Sequence, residues 1–219
     1  QQNRDSTWDS SYVGVWHLND GNGATTFLDS SGNGNNGSTG GAATPTWNTS
    51  GKIGGAYTFD GNDRIRTGIT TAFTDFSVEV WFYDDGDNKQ YERLADKSFT
   101  GGFWFGRNSN TANSWGGGVK ETSSPYGVFV TLRDKQWQQA LSVRSGTTHY
   151  IYGAGGAVIS SNTVSGTACD STEFAIGAWG NSGSTDQRFT GTIDEVRISN
   201  IARSSGLIKT TYNTINFSS

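Results

Sequence analysis

The stretch FTGTIDEVRISNIARS, residues 189–204, decides how this chain folds. It reads as a β-strand running into a turn. Side chains alternate along a strand, so Thr192, Asp194, Val196 and Ile198 share one side. Val196 and Ile198 belong in a core, and this carries Asp194 inward with them. A buried carboxylate is costly unless it is paired, hydrogen-bonded or bound to a metal. Upstream, LDSSGNGNNG (28–37) offers a loop of small, oxygen-rich residues. The simplest partner to close the two segments together is a hard cation such as calcium, which takes oxygen ligands.

Around that strand the composition describes one large β domain. The chain has 219 residues, 31 glycines, 2 prolines and many Ser, Thr and Asn, the punctuation of short strands joined by tight turns. Candidate strands fall at 12–18, 53–59, 64–68, 76–83, 91–97, 102–107, 115–120, 126–132, 138–144, 148–153, 156–164, 172–178 and 187–198. No helices alternate with them, so the fold is all-β, a sandwich or barrel rather than a βαβ array. SSGLIKTTYN (204–213) reads as one short C-terminal helix capped by Ser204 or Ser205. The polar start QQNRDSTWDSS (1–11) reads as a linker or N-terminal extension, and the domain occupies 12–219.

Net charge is −4 with no basic run, which argues against nucleic acid and acidic membranes as partners. No apolar stretch approaches the roughly 18 residues of a membrane span. The chain starts at Gln1, and it reads as a mature or excised segment. The lone Cys169 reads as a small residue before a strand. Few Cys, no Met and a Gly/Thr/Ser/Asn-rich composition suit a secreted or cell-surface bacterial protein.

Five segments carry a family resemblance: the DSSGNGNNG loop (29–37), the 189–204 strand, WDSSYVGVWHLND (8–20), GKIGGAYTFDGNDRI (51–65) and FTDFSVEVWFY (73–83). In this order they resemble the bacterial laminin-G-like modules of the concanavalin A-like lectin/glucanase superfamily. The resemblance implies a two-sheet jelly roll with a calcium site at Asp29 and Asp194. In that reading Asp29 gives a side-chain oxygen, Asn33 or Asn35 a backbone or amide oxygen, and Asp194 closes the site with Asp20 nearby. The competing reading makes Asp29 and the Asn-Gly run ordinary turn formers, with Asp194 accepting backbone N–H bonds. YDDGDN (83–88) has a calcium loop's composition without EF-hand spacing, and reads as a solvated hairpin turn, with a second, weak cation site as the alternative.

Aromatic residues make up 13% of the chain, enough to build a sugar-stacking surface or simply to fill a core. In 76–83, Phe76, Val78, Val80 and Phe82 form an apolar face, and Ser77, Glu79, Trp81 and Tyr83 a polar, aromatic one. Trp16 and Trp81 read as structural. Trp104, Trp179 and Trp115 flank Gly/Asn/Ser loops and read as the stacking platform, with Glu79, Tyr83 and Arg144 supplying hydrogen bonds. No Glu-x-Asp-x-x-Glu strand of the kind that serves retaining glycosidases occurs, and no histidine cluster. The fold hosts lectins, enzymes, adhesins and spacers alike. The reading is therefore a non-catalytic glycan-binding module of a larger chain, its partner a polysaccharide or cell-surface glycan. A structural or adhesive domain is the alternative, and a divergent hydrolase or lyase the remoter one.

Overall fold

The computed structural model describes residues 7–87, 89, 91–98, 101–107, 114–119, 127–132, 135–164, 172–180 and 187–216. Cys169 and the loops 108–113 and 181–186 lie outside the described residues. In chain order the strands are Tyr12–Trp16 (β1), Thr26–Phe27 (β2), Gly37–Ser38 (β3), Thr46–Asn48 (β4), Ala56–Asp60 (β5), Ile65–Arg66 (β6), Phe76–Asp84 (β7), Arg93–Ser98 (β8), Gly102–Arg107 (β9), Ser114–Val119 (β10), Gly127–Thr131 (β11), Trp137–Ser145 (β12), Thr148–Tyr152 (β13), Val158–Thr163 (β14), Ala175–Ile176 (β15) and Thr190–Ser199 (β16). A helix, Ser205–Asn216 (α1), follows. The first sheet runs β14-β13-β12-β7-β16-β5-β4, with β1 also paired to β16. The second runs β11-β10-β9-β8-β15-β6-β3-β2. The architecture is thus the two-sheet antiparallel sandwich with one C-terminal helix that the sequence implies. Three short strands, β2, β3 and β4, were not expected.

The period-2 pattern of β7 builds the core. Phe76, Val78, Val80 and Phe82 are fully buried against Phe103 and Phe105 of β9 and Phe174 and Ile176 near β15. The opposite face of β7 is not the wet groove its composition suggests. α1 lies over it, with Tyr212 stacked on Trp81 at 5.6 Å between centroids and 8° between planes. Ile208 packs with Leu141, Val143 and Tyr152 on the same outer face.

The alternation along β16 breaks once. Asp194 pairs with Trp81 and Arg197 with Glu79, so two residues of β16 stand opposite one of β7. Glu195 sits at this bulge with φ +48°, the left-handed region that L residues seldom adopt. The bulge puts Ile193, Val196 and Ile198 together in the core. Asp194 is therefore turned to the outer side beside Trp81, correcting the inward placement that unbroken alternation predicts. On that side Glu195 meets His17 at 2.7 Å and Arg197 at 2.8 Å, and Arg197 reaches Glu79 at 3.6 Å. Residues 8–11 pack on the domain: Asp9 bridges Arg203 at 2.6 Å, and Arg197 stacks over Trp8 at 4.9 Å.

Candidate functional site on the outer face of the second sheet

Because Phe103 and Phe105 point inward, Trp104 of β9 points outward. Pairing then fixes a row across four strands: Trp104 opposite Asp96, Asp96 opposite Ala175, and Ala175 opposite Arg66. The Arg93 guanidinium lies 4.5 Å from the Trp104 ring, and its Nε is 3.2 Å from Asp96 Oδ2. Asp96 Oδ1 accepts from Ser98 N at 2.7 Å, Ser98 Oγ at 3.0 Å and Gly180 N at 3.1 Å. Burial nevertheless raises the Asp96 carboxyl to about 6. Trp179 is half-buried, and its Nε1 donates to Ser98 O at 2.5 Å. Arg93 thus lies between the Trp104 indole and the Asp96 carboxylate, and Trp179 is tied to Ser98, two residues along β8. Arg93 and Asp96 were missed by sequence reasoning. Their signal was RLADKS, a strand whose charged residues are all buried.

The remaining residues expected of the platform do not join this face. Trp104 is only 4% exposed, covered by Arg93 and set 5.8 Å from Phe129, so it is a floor rather than an open platform. Trp115 is in the core between the sheets, 4.9 Å from Phe82 and under Arg107 at 4.7 Å. Glu79 and Tyr83 lie on the outer face of the other sheet. Glu79 accepts from Gln139 Nε2 at 2.7 Å, and burial raises its carboxyl. Tyr83 is half-buried, edge-on to Trp137 at 6.1 Å. Arg144 pairs opposite Phe76, in the inward phase of β12 that includes Ala140. Leu141 and Val143 are the outward phase, so Arg144 faces the opposite side from the one their neighbourhood suggests. Its Nε donates to Gly146 O at 3.0 Å.

The metal ligands expected at the 28–37 loop are spent on the protein. Asp29 Oδ1 accepts from Val15 N at 3.0 Å and Ser31 N at 2.8 Å, and Oδ2 from Ser31 Oγ at 2.8 Å and Asn35 N at 2.9 Å. Those four bonds fill a carboxylate's acceptor sites. Asn33 and Asn35 aim their amide nitrogens at the carbonyls of Tyr12 and Val13, at 2.7 and 2.8 Å. Asn35 O accepts from Trp16 Nε1 at 3.0 Å. The loop is a hydrogen-bonded clasp on β1. Asp20 Oδ1 accepts from Leu28 N at 3.0 Å. Asp194 differs. Its Oδ2 accepts from Ile53 N at 2.9 Å, but Oδ1 is buried with no hydrogen-bond partner, and burial lifts the carboxyl to about 7.

Among the described residues, three acids do gather their oxygens within 4.8 Å: Asp84, Asp87 and Glu92. Asp84 is fully buried, so this part of the 83–88 segment is no solvated turn. Arg107 Nη2 is 2.5 Å from Asp84 Oδ2, and Lys89 Nζ is 3.2 Å from Asp87 Oδ2. The cluster already carries its own cations.

Three comparisons place these observations. None of the curated proteins matches the chain. Domain 4 of AbnA, a GH43 extracellular arabinanase from Geobacillus stearothermophilus solved in complex with arabinotriose, is 20% identical at TM-score 0.68, with 91% of this chain and 97% of that one covered. The binding domain of Paraclostridial Mosquitocidal Protein 1 is 14% identical at TM-score 0.72, covering 93% and 52%. Botulinum neurotoxin type C, whose cell entry depends on interaction with two ganglioside molecules, is 13% identical at TM-score 0.64, covering 94% and 51%. This chain spans about half the length of the latter two. At these identities the likeness shows the fold. The Laminin_G_3 family model, described as Concanavalin A-like lectin/glucanases superfamily, matches residues 59–209, and the chain belongs to that family.

Proposed function

We propose that this chain is a non-catalytic carbohydrate-binding module of a larger secreted or cell-surface bacterial protein. The observation that carries the reading is the grouping on one sheet face of Trp104 under Arg93, Asp96 paired with Arg93, and Trp179 bonded to Ser98 O two residues along the same strand. Trp179 offers the stacking surface, and Trp104 with Arg93 forms the floor beside it. Relatives in fold solved with arabinotriose or tied to gangliosides are in keeping with this. So is the fixing of Glu79 by Gln139 and Arg197 under α1, an arrangement unsuited to proton transfer with a bound sugar. Binding should be weak, about 10⁻⁴–10⁻⁶ M, because one half-open indole leaves much of a sugar hydrated. A structural or adhesive role is the second reading, favoured by the 4% exposure of Trp104. The test is a glycan array probed with the whole chain. Specific retention of at least one polysaccharide is expected; a blank array contradicts the proposal and leaves the adhesive reading.

The same proposal includes one calcium ion between the 28–37 loop at Asp29 and the last strand at Asp194, of which Asp194 has the unpartnered oxygen. The support is the spare, buried Oδ1 of Asp194, whose carboxyl burial raises to about 7. The ion would be structural, joining β16 to the segment around Ile53. A ligand bound only by the native state adds about 2.7 kcal/mol at a hundredfold excess over its Kd. EDTA should therefore lower the melting temperature. The pH dependence has a defined sign. With the folded acid at about 7 and the unfolded one near 4, the folded state holds the extra proton between those values. Metal-free protein should thus gain stability as pH falls from 8 to 5, with Glu92 (about 8) and Asp96 (about 6), both raised first by burial, acting the same way. Calcium favours the anion and should flatten this slope. Identical pH profiles with calcium and with EDTA contradict the site.

A further inference from the structure

One buried cation beside the proposed sugar face makes no direct ion pair. Arg64 is 6% exposed, yet among the described residues it makes no hydrogen bond and no ion pair, and its Nε is sealed from solvent without a partner. Arg64 and Arg66 flank Ile65, whose side chain is in the core, so both lie on the outer side of the second sheet. Arg188 joins them. Its Nη1 donates to Asn62 O, while its Nε is also buried without a partner. The backbone of Arg188 bridges that of Arg93, which ties this group to the Trp104 floor.

The local acids are committed elsewhere. Glu173 is gripped by Arg66 and also accepts from Gly68 N at 2.7 Å. Asp63 Oδ2 accepts from Asp60 N at 2.8 Å, and burial, followed by the Asp60 charge, raises its carboxyl above the usual carboxylate range. Arg64 is itself made easier to deprotonate, first by burial and then by Arg66 and Arg188, which outweigh the pull of the Glu173 charge. A buried, unpaired guanidinium is costly, and an arginine fork matches the two oxygens of a carboxylate.

We propose that Arg64, with Arg188 beside it, receives a carboxylate carried by the bound sugar, so that the ligand class is an acidic glycan with uronic- or sialic-type units. This rests on the carbohydrate reading of the same face and names its ligand.

The test titrates the whole chain with oligogalacturonate and 3′-sialyllactose, each beside a neutral counterpart, methyl-esterified oligogalacturonate and lactose. Dextran sulfate beside dextran separates sulfate from carboxylate. At least one carboxylated probe should bind tenfold or more tighter than its neutral counterpart, and the advantage should shrink as salt rises, through screening. Arg64→Gln should erase the advantage and keep the affinity for the neutral probe; Arg188→Gln should reduce it. Arg64→Gln should also melt at or above the wild-type temperature, since it removes an unpaired buried charge. Equal binding of acidic and neutral probes, a preference that survives Arg64→Gln, a preference for dextran sulfate alone, or a marked fall in melting temperature in Arg64→Gln would each overturn the inference while leaving sugar binding intact. Binding of no probe, charged or neutral, would count against both.

Discussion

Arg107→Met should destabilise the fold by about 3–5 kcal/mol, the range seen when one member of a buried ion pair is removed. Arg107 ends β9 between the sheets and is fully buried. Its Nη2 lies 2.5 Å from Asp84 Oδ2, its Nε 3.3 Å from Glu92 Oε2, and its guanidinium over Trp115. Methionine fills much of the volume but leaves two buried carboxylates facing one another, with Asp87 close by. Burial, then the Asp87 charge, already raises Glu92 to about 8. Losing Arg107 removes an influence that holds it down, so the variant should recover part of its loss as pH falls. Urea unfolding at pH 8.5 and pH 6 measures both effects. A loss below about 1 kcal/mol at pH 8.5 would mean that Arg107 does not neutralise this cluster.

Gly116→Ala should cost about 3 kcal/mol, the upper part of the usual range for overpacking. In β10 an added Cβ at 116 would lie 1.9 Å from Val128 O and 2.9 Å from Phe129 Cα. Both are backbone atoms of β11, the strand paired with β10 at this point, so relief requires parting the two strands. Gly118→Ala makes the contrast. Its Cβ would meet the Trp104 indole, at 2.7 Å from Nε1. A side chain can turn where a backbone cannot, so Gly118→Ala should cost less but unseat Trp104 and shift the tryptophan emission. Thermal melts and emission spectra of the two variants are the check; a wild-type melt for Gly116→Ala would refute the packing argument.

The sandwich was legible because its signals are local. The period-2 runs of β7 and β9 assign Phe76, Val78, Val80, Phe82, Phe103 and Phe105 to one core without further information. The site was less legible, for three physical reasons. A single bulge at Glu195 reverses the phase of β16, so Asp194 and Val196 face opposite ways although two residues apart. A loop rich in Asp, Asn and Gly has one composition whether it cradles a cation or clasps a strand, and the bonds from Val15 and to Tyr12 and Val13 are not local. Finally, what covers an outward side chain comes from elsewhere in the chain: Tyr212 over Trp81, Arg93 over Trp104. Pairing partners, not pattern, bring Asp96 opposite Trp104.

The central claim is that the outer face of the second sheet binds sugar. Calorimetric titration of a glycan retained on the array, against wild type and Trp179→Ala, tests it most directly. Trp179 is half-buried, and its Nε1 donates to Ser98 O at the edge of this face. The account predicts that Trp179→Ala keeps the wild-type fold and weakens binding at least tenfold, about 1.4 kcal/mol. An affinity unchanged in a folded Trp179→Ala variant would contradict it.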